Sequence, residues 1–348
     1  MITSTDTLPD LLCSRAQLDD AFETGLRRML DSESLGAFIL VLANAGYEAS
    51  MLDRLQAPLG VAYRRWRAAA EGGTRAFRDA APDDVAVFRQ LPAAGPEALE
   101  ITRWRQVGPW ELQFNPLRAL RPPRTSGLTV SSLRRPFDPD GFHFDKPFLR
   151  DEILWEGSLA DVPLRLLFNK FPFAERHALL VPEASAGRPQ YLQAADHRLI
   201  WALTRRLARG LPGIGFGYNA YGAFASINHL HFQMFDRSIG TYPIEAPVWR
   251  HNGGSRPYPL PVRRFDDADE AWAVVQELQT GDRAFNLLFR PGHAYLVERA
   301  LQGHYRHGDW TSGFAWSEVA GAVTVFRQAD FERVDETILE AEFRRLRP

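Results

Sequence analysis

Cysteine occurs once in the 348 residues, at Cys13, so the chain can form no internal disulfide, no zinc ribbon and no thiol pair. Lysine is almost as scarce: Lys146 and Lys170 are the only two, and arginine carries the rest of the positive charge. No excess of one sign exists either, since the formal net charge is -2, which leaves no electrostatic footprint for nucleic acid. Long apolar runs are missing too. The most apolar stretch, residues 35–43, is too short to cross a bilayer. The first ten residues lack a basic region followed by an apolar one, so no secretory signal is expected and a cytoplasmic location is. What is present is a 45% hydrophobic chain, long enough to bury a full core as one large domain or two smaller ones.

Residues 1–100 read as a helical region. Leu18, Phe22, Leu26 and Leu30 recur every fourth residue, and Leu52, Leu55, Leu59, Tyr63 and Trp66 continue the habit. Pro58 is expected to start or bend a helix rather than sit inside one. Nothing in this region has a chemical signature, which leaves it a role in packing or homodimerisation. Near residue 101 the pattern changes to partial alternation, with a strand pair expected around Gly108-Pro109. Residues 118–135 form a basic, proline-containing connection in which Arg118, Arg121, Arg124, Arg134 and Arg135 could meet phosphate or simply face solvent. Residues 164–182 read as strand, tight connection, strand, followed by a helix with Leu199, Ile200, Leu203 and Leu207 on one face and Gly210 and Pro212 beyond it. The pattern is α+β with a mainly antiparallel sheet. Residues 283–297 repeat the order seen in 166–181, apolar strand, turn, His-Ala, apolar strand, and imply a second, divergent copy of the unit. The tail should be a strand from 317 to 326 and a terminal helix.

The densest chemistry lies in residues 215–235. Asn228, His229, His231 and Gln233 fall within six residues that otherwise hold only Leu230 and Phe232. As a strand, this places His229, His231 and Gln233 on one face and Leu230, Phe232 and Met234 on the other. As a helix it would set the two histidines roughly 200° apart. Gly215, Gly217 and Gly222 upstream permit tight turns and close approach of backbone to a ligand. Four readings compete. A metal site has the His-x-His spacing but needs a distant third ligand from His251, His293, His304 or His307, and Asp236 is poorly placed for one. Nucleophilic catalysis at phosphorus needs one neutral imidazole whose other nitrogen is held, plus donors for the developing charge. His231 can be that nucleophile, Gln233 an uncharged donor, His229 a phosphate contact and the 215–222 loop a source of amides. The remaining two are a nucleotide-binding relic without turnover and a purely structural histidine pair.

His229-Leu-His231-Phe-Gln233 resembles the His-x-His-x-Gln signature of the transferase branch of the histidine-triad superfamily. That branch includes galactose-1-phosphate uridylyltransferase and the diadenosine tetraphosphate phosphorylases. The longer string from Gly217 to Gln233 is similar to one subgroup, the GDP-L-galactose and GDP-D-glucose phosphorylases. Residues 135–144, 242–247 and 316–321 resemble that subgroup's lead-in, its proline-glutamate segment and its last strand, so the likeness covers roughly residues 110 to 340. It implies two divergent histidine-triad halves, a catalytic one over 101–250 and a degenerate one over 260–348, behind the helical region 1–100. It implies ping-pong transfer: His231 takes GMP from a GDP-hexose, and inorganic phosphate then releases GDP. No cofactor or metal is implied. Ser226 and Asn228 match positions that the wider branch places near the phosphates, and Asn219 and Gly222 belong to the same string. Asn169 and Lys170 match an Asn-Lys-Phe-Pro segment of the diadenosine-polyphosphate branch more than of the GDP-hexose branch. His177 stands where superfamily members carry Gly-His, with Arg176 in place of the glycine, and reads as a packed turn histidine. Glu245 reads as a local structural acid. Dinucleoside polyphosphate phosphorolysis and transfer to a sugar 1-phosphate are the alternatives that the same signature allows.

Overall fold

The computed structural model describes residues 8–120, 128–238 and 240–348. The fourfold spacing of Leu18, Phe22, Leu26 and Leu30 becomes the buried stripe of helix α1 (Arg15–Leu30), whose first turn is capped by the Ser14 hydroxyl accepting from the Gln17 amide. Helix α2 (Leu35–Ala45) is apolar on every side apart from Asn44, and every residue except Gly36 is buried, as befits a helix enclosed by others. Helix α3 (Ala49–Glu71) contains Pro58 in its interior, contrary to expectation. The stripe Leu55, Leu59, Tyr63, Trp66 is buried on both sides of that proline, and this tertiary burial carries the helix through the lost hydrogen bond. Two short helices, α4 (Arg75–Arg78) and α5 (Pro82–Arg89), complete the layer.

Strands β1 (Arg103–Val107) and β2 (Trp110–Phe114) form the expected hairpin, turned at Gly108 with φ +58. After helix α6 (Pro116–Ala119) come β3 (Ile153–Leu159), β4 (Val162–Phe168), β5 (Ala178–Pro182), helix α7 (Ala194–Leu207), β6 (Ile214–Asn219) and β7 (Phe232–Asp236). Then follow β8 (Val262–Phe265), helix α8 (Ala268–Thr280), β9 (Ala284–Arg290) and β10 (His293–Arg299). The chain closes with α9 (Trp316–Val319), β11 (Ala322–Val325), α10 (Gln328–Arg333) and α11 (Glu336–Arg345). Residues 316–319, expected in a strand, form a helical turn, and β11 pairs parallel to β2 in a separate three-stranded sheet.

The main sheet has eight strands in the order β3-β4-β5-β7-β6-β9-β10-β8, all antiparallel. Two units with one topology are visible in it: β5-α7-β6-β7 and β8-α8-β9-β10, joined where β6 pairs with β9. The two-copy architecture is therefore present, but in a different alignment from the one the sequence echo suggests. Hairpin β9–β10 follows its helix as β6–β7 does, whereas β4–β5 precedes its helix. One face of the sheet packs Leu166, Phe168, Phe216, Phe232, Met234 and Leu287 against helices α1, α2, α3, α7 and α8 in a single core. The other packs Phe235, Leu288, Tyr295 and Val297 against the small sheet and the C-terminal helices. The alternation of β7 thus puts Phe232 and Met234 under the helices and Gln233 on the opposite face.

Candidate active site

Both histidines precede the strand instead of lying on it, because β7 begins only at Phe232. Where a neighbouring strand's peptide would pair, a side-chain amide does. The buried Gln190 accepts the His231 N–H at 2.9 Å and donates to the His231 carbonyl at 3.2 Å and the Asn219 carbonyl at 2.9 Å. The Leu230 amide bonds to the Arg188 carbonyl at 2.9 Å. The chain stays extended and its alternation survives, with Leu230 buried in the helical core beside Phe232 and Met234.

His231 Nδ1 lies 2.8 Å from the backbone carbonyl of His229. A carbonyl only accepts, so the ring proton sits on Nδ1 and the lone pair on Nε2. Burial lowers the pKa of His231 to about 4, which keeps the ring neutral at ordinary pH. A neutral, tautomer-locked imidazole with a free Nε2 lone pair is what attack on phosphorus requires. His229 has the opposite tautomer. Its Nδ1 accepts the Phe144 amide at 3.0 Å, so Nε2 carries the proton, and among the described residues that buried atom has no partner. Burial, followed by the neighbouring His231 and His143, lowers its pKa to about 4. Phe137, His143 and Phe144, all from the lead-in segment, surround the ring at centroid distances of 5.2 to 5.9 Å. An unpartnered buried donor is costly, and a substrate oxygen would satisfy it.

Gln233 is held by its carbonyl. Oε1 accepts the Trp316 indole N–H at 2.9 Å and lies 3.2 Å from His177 Nε2. His177 Nδ1 accepts the Phe173 amide at 3.2 Å, so Nε2 bears the proton and donates to Gln233. Burial, and then the charge of Arg118, lowers the His177 pKa to about 3. With two donors on its oxygen, Gln233 must present its NH2 group away from them. His177 is therefore an orienting residue and more than a packed turn histidine. Its signal in the sequence was the His before an apolar strand.

The other expected site residues divide. Asn169 lies beside the group: its Oδ1 caps the Phe171 amide at 3.1 Å, and its Nδ2 stands 3.2 Å from His177 Nε2, a contact between two donors that forms no hydrogen bond in this tautomer. Lys170 does not. Its Nζ is 2.6 Å from Asp84 of helix α5, in the helical layer. Asn219 spends its Oδ1 on Asn286 at 2.7 Å and the Trp316 amide at 2.8 Å, which ties β6, β9 and α9 together. Asn228 fastens the loop, accepting from the Gln190 amide at 3.1 Å and donating to the Pro136 carbonyl at 2.8 Å. Gly222 has φ +90, and a Cβ there would come within 2.9 to 3.4 Å of Leu301, Val130 and Leu133, while Ser226 lies half-buried in the loop that follows. Gly215 and Gly217 are strand residues and not part of a turn. They lie inside β6, where a Cβ would come within 2.3 Å of the Phe235 and Trp316 rings respectively. Their smallness lets those two stacked rings, 5.0 Å apart, lie flat on the sheet.

Of the arginines, Arg118 donates to the Phe171 carbonyl at 2.7 Å and Arg135 to the Tyr221 hydroxyl at 2.7 Å, Arg134 stacks on Tyr191 at 5.2 Å, and Arg121 and Arg124 lie outside the described residues. Glu245 pairs with Arg290 at 3.0 Å. His251 and His304 bond to the carbonyls of Ile244 and Val130 at 2.8 and 2.9 Å, away from the His229–His231 pair. Among the described residues no group of three or more His, Cys, Asp or Glu could hold a metal ion.

Residues 110–235 match the family model described as GDPGP1-like, N-terminal domain. The chain is 32% identical over 270 residues to GDP-L-galactose phosphorylase 2 of Arabidopsis thaliana, covering 64% of this chain and 61% of that one. It is 34% identical over 123 residues to GDP-D-glucose phosphorylase 1 of Homo sapiens, covering 33% and 30%. The chain thus spans less than two thirds of the length of these curated relatives. A solved structure of yeast Ap4A phosphorylase in complex with Ap4A superimposes with a TM-score of 0.49 at 16% identity, over 70% of this chain and 88% of that one. Over residues 110–235 the chain is thus similar to a GDPGP1-like N-terminal domain, and over part of its length it is similar to GDP-D-glucose and GDP-L-galactose phosphorylases.

Proposed function

We propose that this protein is a nucleotidyltransferase that phosphorolyses a GDP-hexose, releasing hexose 1-phosphate and GDP, through a covalent intermediate on His231. The observation that carries the reading is the bond from His231 Nδ1–H to the His229 carbonyl, which points an unprotonated Nε2 away from the backbone. In the first step Nε2 attacks the α-phosphorus. A P–N bond forms, and the bond from that phosphorus to the bridging oxygen breaks, so hexose 1-phosphate leaves as an oxyanion. In the second step an oxygen of inorganic phosphate attacks the same phosphorus, the P–N bond breaks, and GDP departs with His231 neutral again. Charge gathers on the non-bridging oxygens in both steps. The His229 Nε2–H, which has no partner among the described residues, and the Gln233 NH2 are the donors available to meet it. The amide of Gln233 stabilises without supplying a proton, which favours transfer to phosphate over transfer to water.

The named relatives are GDP-hexose phosphorylases, which supports guanosine and hexose as the substrate halves. Lys170, the residue most like the diadenosine-polyphosphate branch, is engaged by Asp84 and lends that alternative no support. Initial-rate kinetics test the scheme. With GDP-glucose and phosphate varied together, double-reciprocal plots should be parallel lines, as ping-pong transfer requires. Intersecting lines with a ternary-complex pattern would remove the covalent step.

A further inference from the structure

The connection between β4 and β5, residues 169–177, carries both Asn169 and His177, and the helical layer grips it at both ends. Asn44 of α2 donates to the Asn169 carbonyl at 2.9 Å, Asp84 of α5 holds Lys170 at 2.6 Å, and Arg15 of α1 holds Glu175 at 3.1 Å. Arg176, directly before His177, makes the strongest of these contacts. Its side chain, 8% exposed, reaches Asp19 of α1 at 2.5 Å and also pairs with Glu48, the residue capping α3. Arg176 adopts φ +48, a left-handed conformation that glycine takes freely and arginine does not. An arginine there is tolerated because two carboxylates of another layer fix its far end. The backbone so held carries His177, which together with Trp316 fixes the Gln233 carbonyl.

We infer that Arg176 is a positioning residue for nucleotidyl transfer, and that the helical layer of residues 15–89 acts through it to aim the Gln233 amide. The inference rests on the nucleotidyl-transfer reading for its kinetic arm. The chain of contacts is Asp19 and Glu48 to Arg176, then through the peptide to His177, then to Gln233. Loss of the guanidinium frees the turn, lets His177 drift and unpins one of the two donors on Gln233 Oε1.

Arg176→Gly removes the guanidinium while suiting the backbone, and Asp19→Asn weakens the clamp from the other side without touching the turn. Both variants should lower kcat, Arg176→Gly by between ~10- and ~100-fold as expected for a small misplacement of a catalytic group, with KM nearly unchanged. In a Gln233→Ala background, Arg176→Gly should cost less than about twofold, because a residue that acts through Gln233 has nothing left to aim. Equal losses in both backgrounds, or no loss in either single variant, would overturn the inference. A second readout is independent of turnover. The indole N–H resonance of Trp316, assigned with Trp316→Phe, should shift in Arg176→Gly or, if that variant fails to fold, in Asp19→Asn. An unmoved resonance would overturn the clamp even if the wild-type protein proved inert toward GDP-hexoses, and a shift in an inert protein would keep the clamp while removing the catalytic reading.

Discussion

At the scale of single residues, two neighbouring histidines are given different work by what their Nδ1 atoms meet. His231 Nδ1 faces a carbonyl and must carry the proton, whereas His229 Nδ1 faces an amide N–H and must not. One ring therefore offers a lone pair and the other a donor, although burial lowers both pKa values to about 4. Replacing His229 by Ala should cost ~100-fold in kcat, the usual consequence of losing one oxyanion donor, with His229→Asn recovering part of it. Full activity in His229→Ala would contradict the donor role. Gln233→His would replace the aimed amide with a group that can move protons, and phosphate-independent hydrolysis of GDP-glucose should rise at least ~10-fold. Unchanged hydrolysis would show that the glutamine does not guard against water.

At the scale of elements, Gln190 acts as a missing piece of strand. Its amide satisfies the His231 N–H and carbonyl and the Asn219 carbonyl, all buried, so Gln190→Ala leaves three backbone groups without their partner. The expected loss is on the order of 2–4 kcal/mol in urea unfolding, with activity falling alongside. A change below about 0.5 kcal/mol would mean that water or a shifted strand replaces the amide fully. The elements differ in how far they could be read from sequence, and the difference is physical. Helix α1 was legible because its four apolar residues report a local 3.6-residue period, and the β1–β2 hairpin because Gly108-Pro109 marks its turn. The start of β7 was not, because the partner that replaces the ladder is a side chain 41 residues upstream. The same holds for Gly217, whose need for smallness comes from Trp316, and for Gln233, whose carbonyl is fixed by groups 56 and 83 residues away. The histidines could be found from their spacing; what orients them could not.

At the scale of the whole molecule, the three histidines of the site are buried neutral with pKa values of about 3 for His177 and about 4 for His229 and His231, below the ordinary 6.5. Unfolding raises all three toward 6.5, so between about pH 6.5 and pH 4 the unfolded chain binds more protons than the folded one. Their contribution to stability is therefore present above pH 6.5 and is lost as the pH falls through that window. Tm should fall steadily from pH 7 to pH 4.5, and His177→Gln should reduce the number of protons taken up on unfolding near pH 5 by about one. An identical pH dependence in wild type and His177→Gln would contradict the buried neutral state of that ring. The helical layer and the sheet share one continuous core, from Leu18 and Phe22 to Phe168, Phe216 and Phe232, so this acid sensitivity should appear as a single transition.

In the proposed scheme His231 takes the covalent role, and intact-mass spectrometry reads that role directly. Protein incubated with GDP-glucose in the absence of phosphate should gain one GMP-sized increment that is acid-labile, disappears when phosphate is added with release of GDP, and is absent from His231→Ala. An unmodified mass with every GDP-hexose tried, or an adduct that persists in His231→Ala, would contradict it.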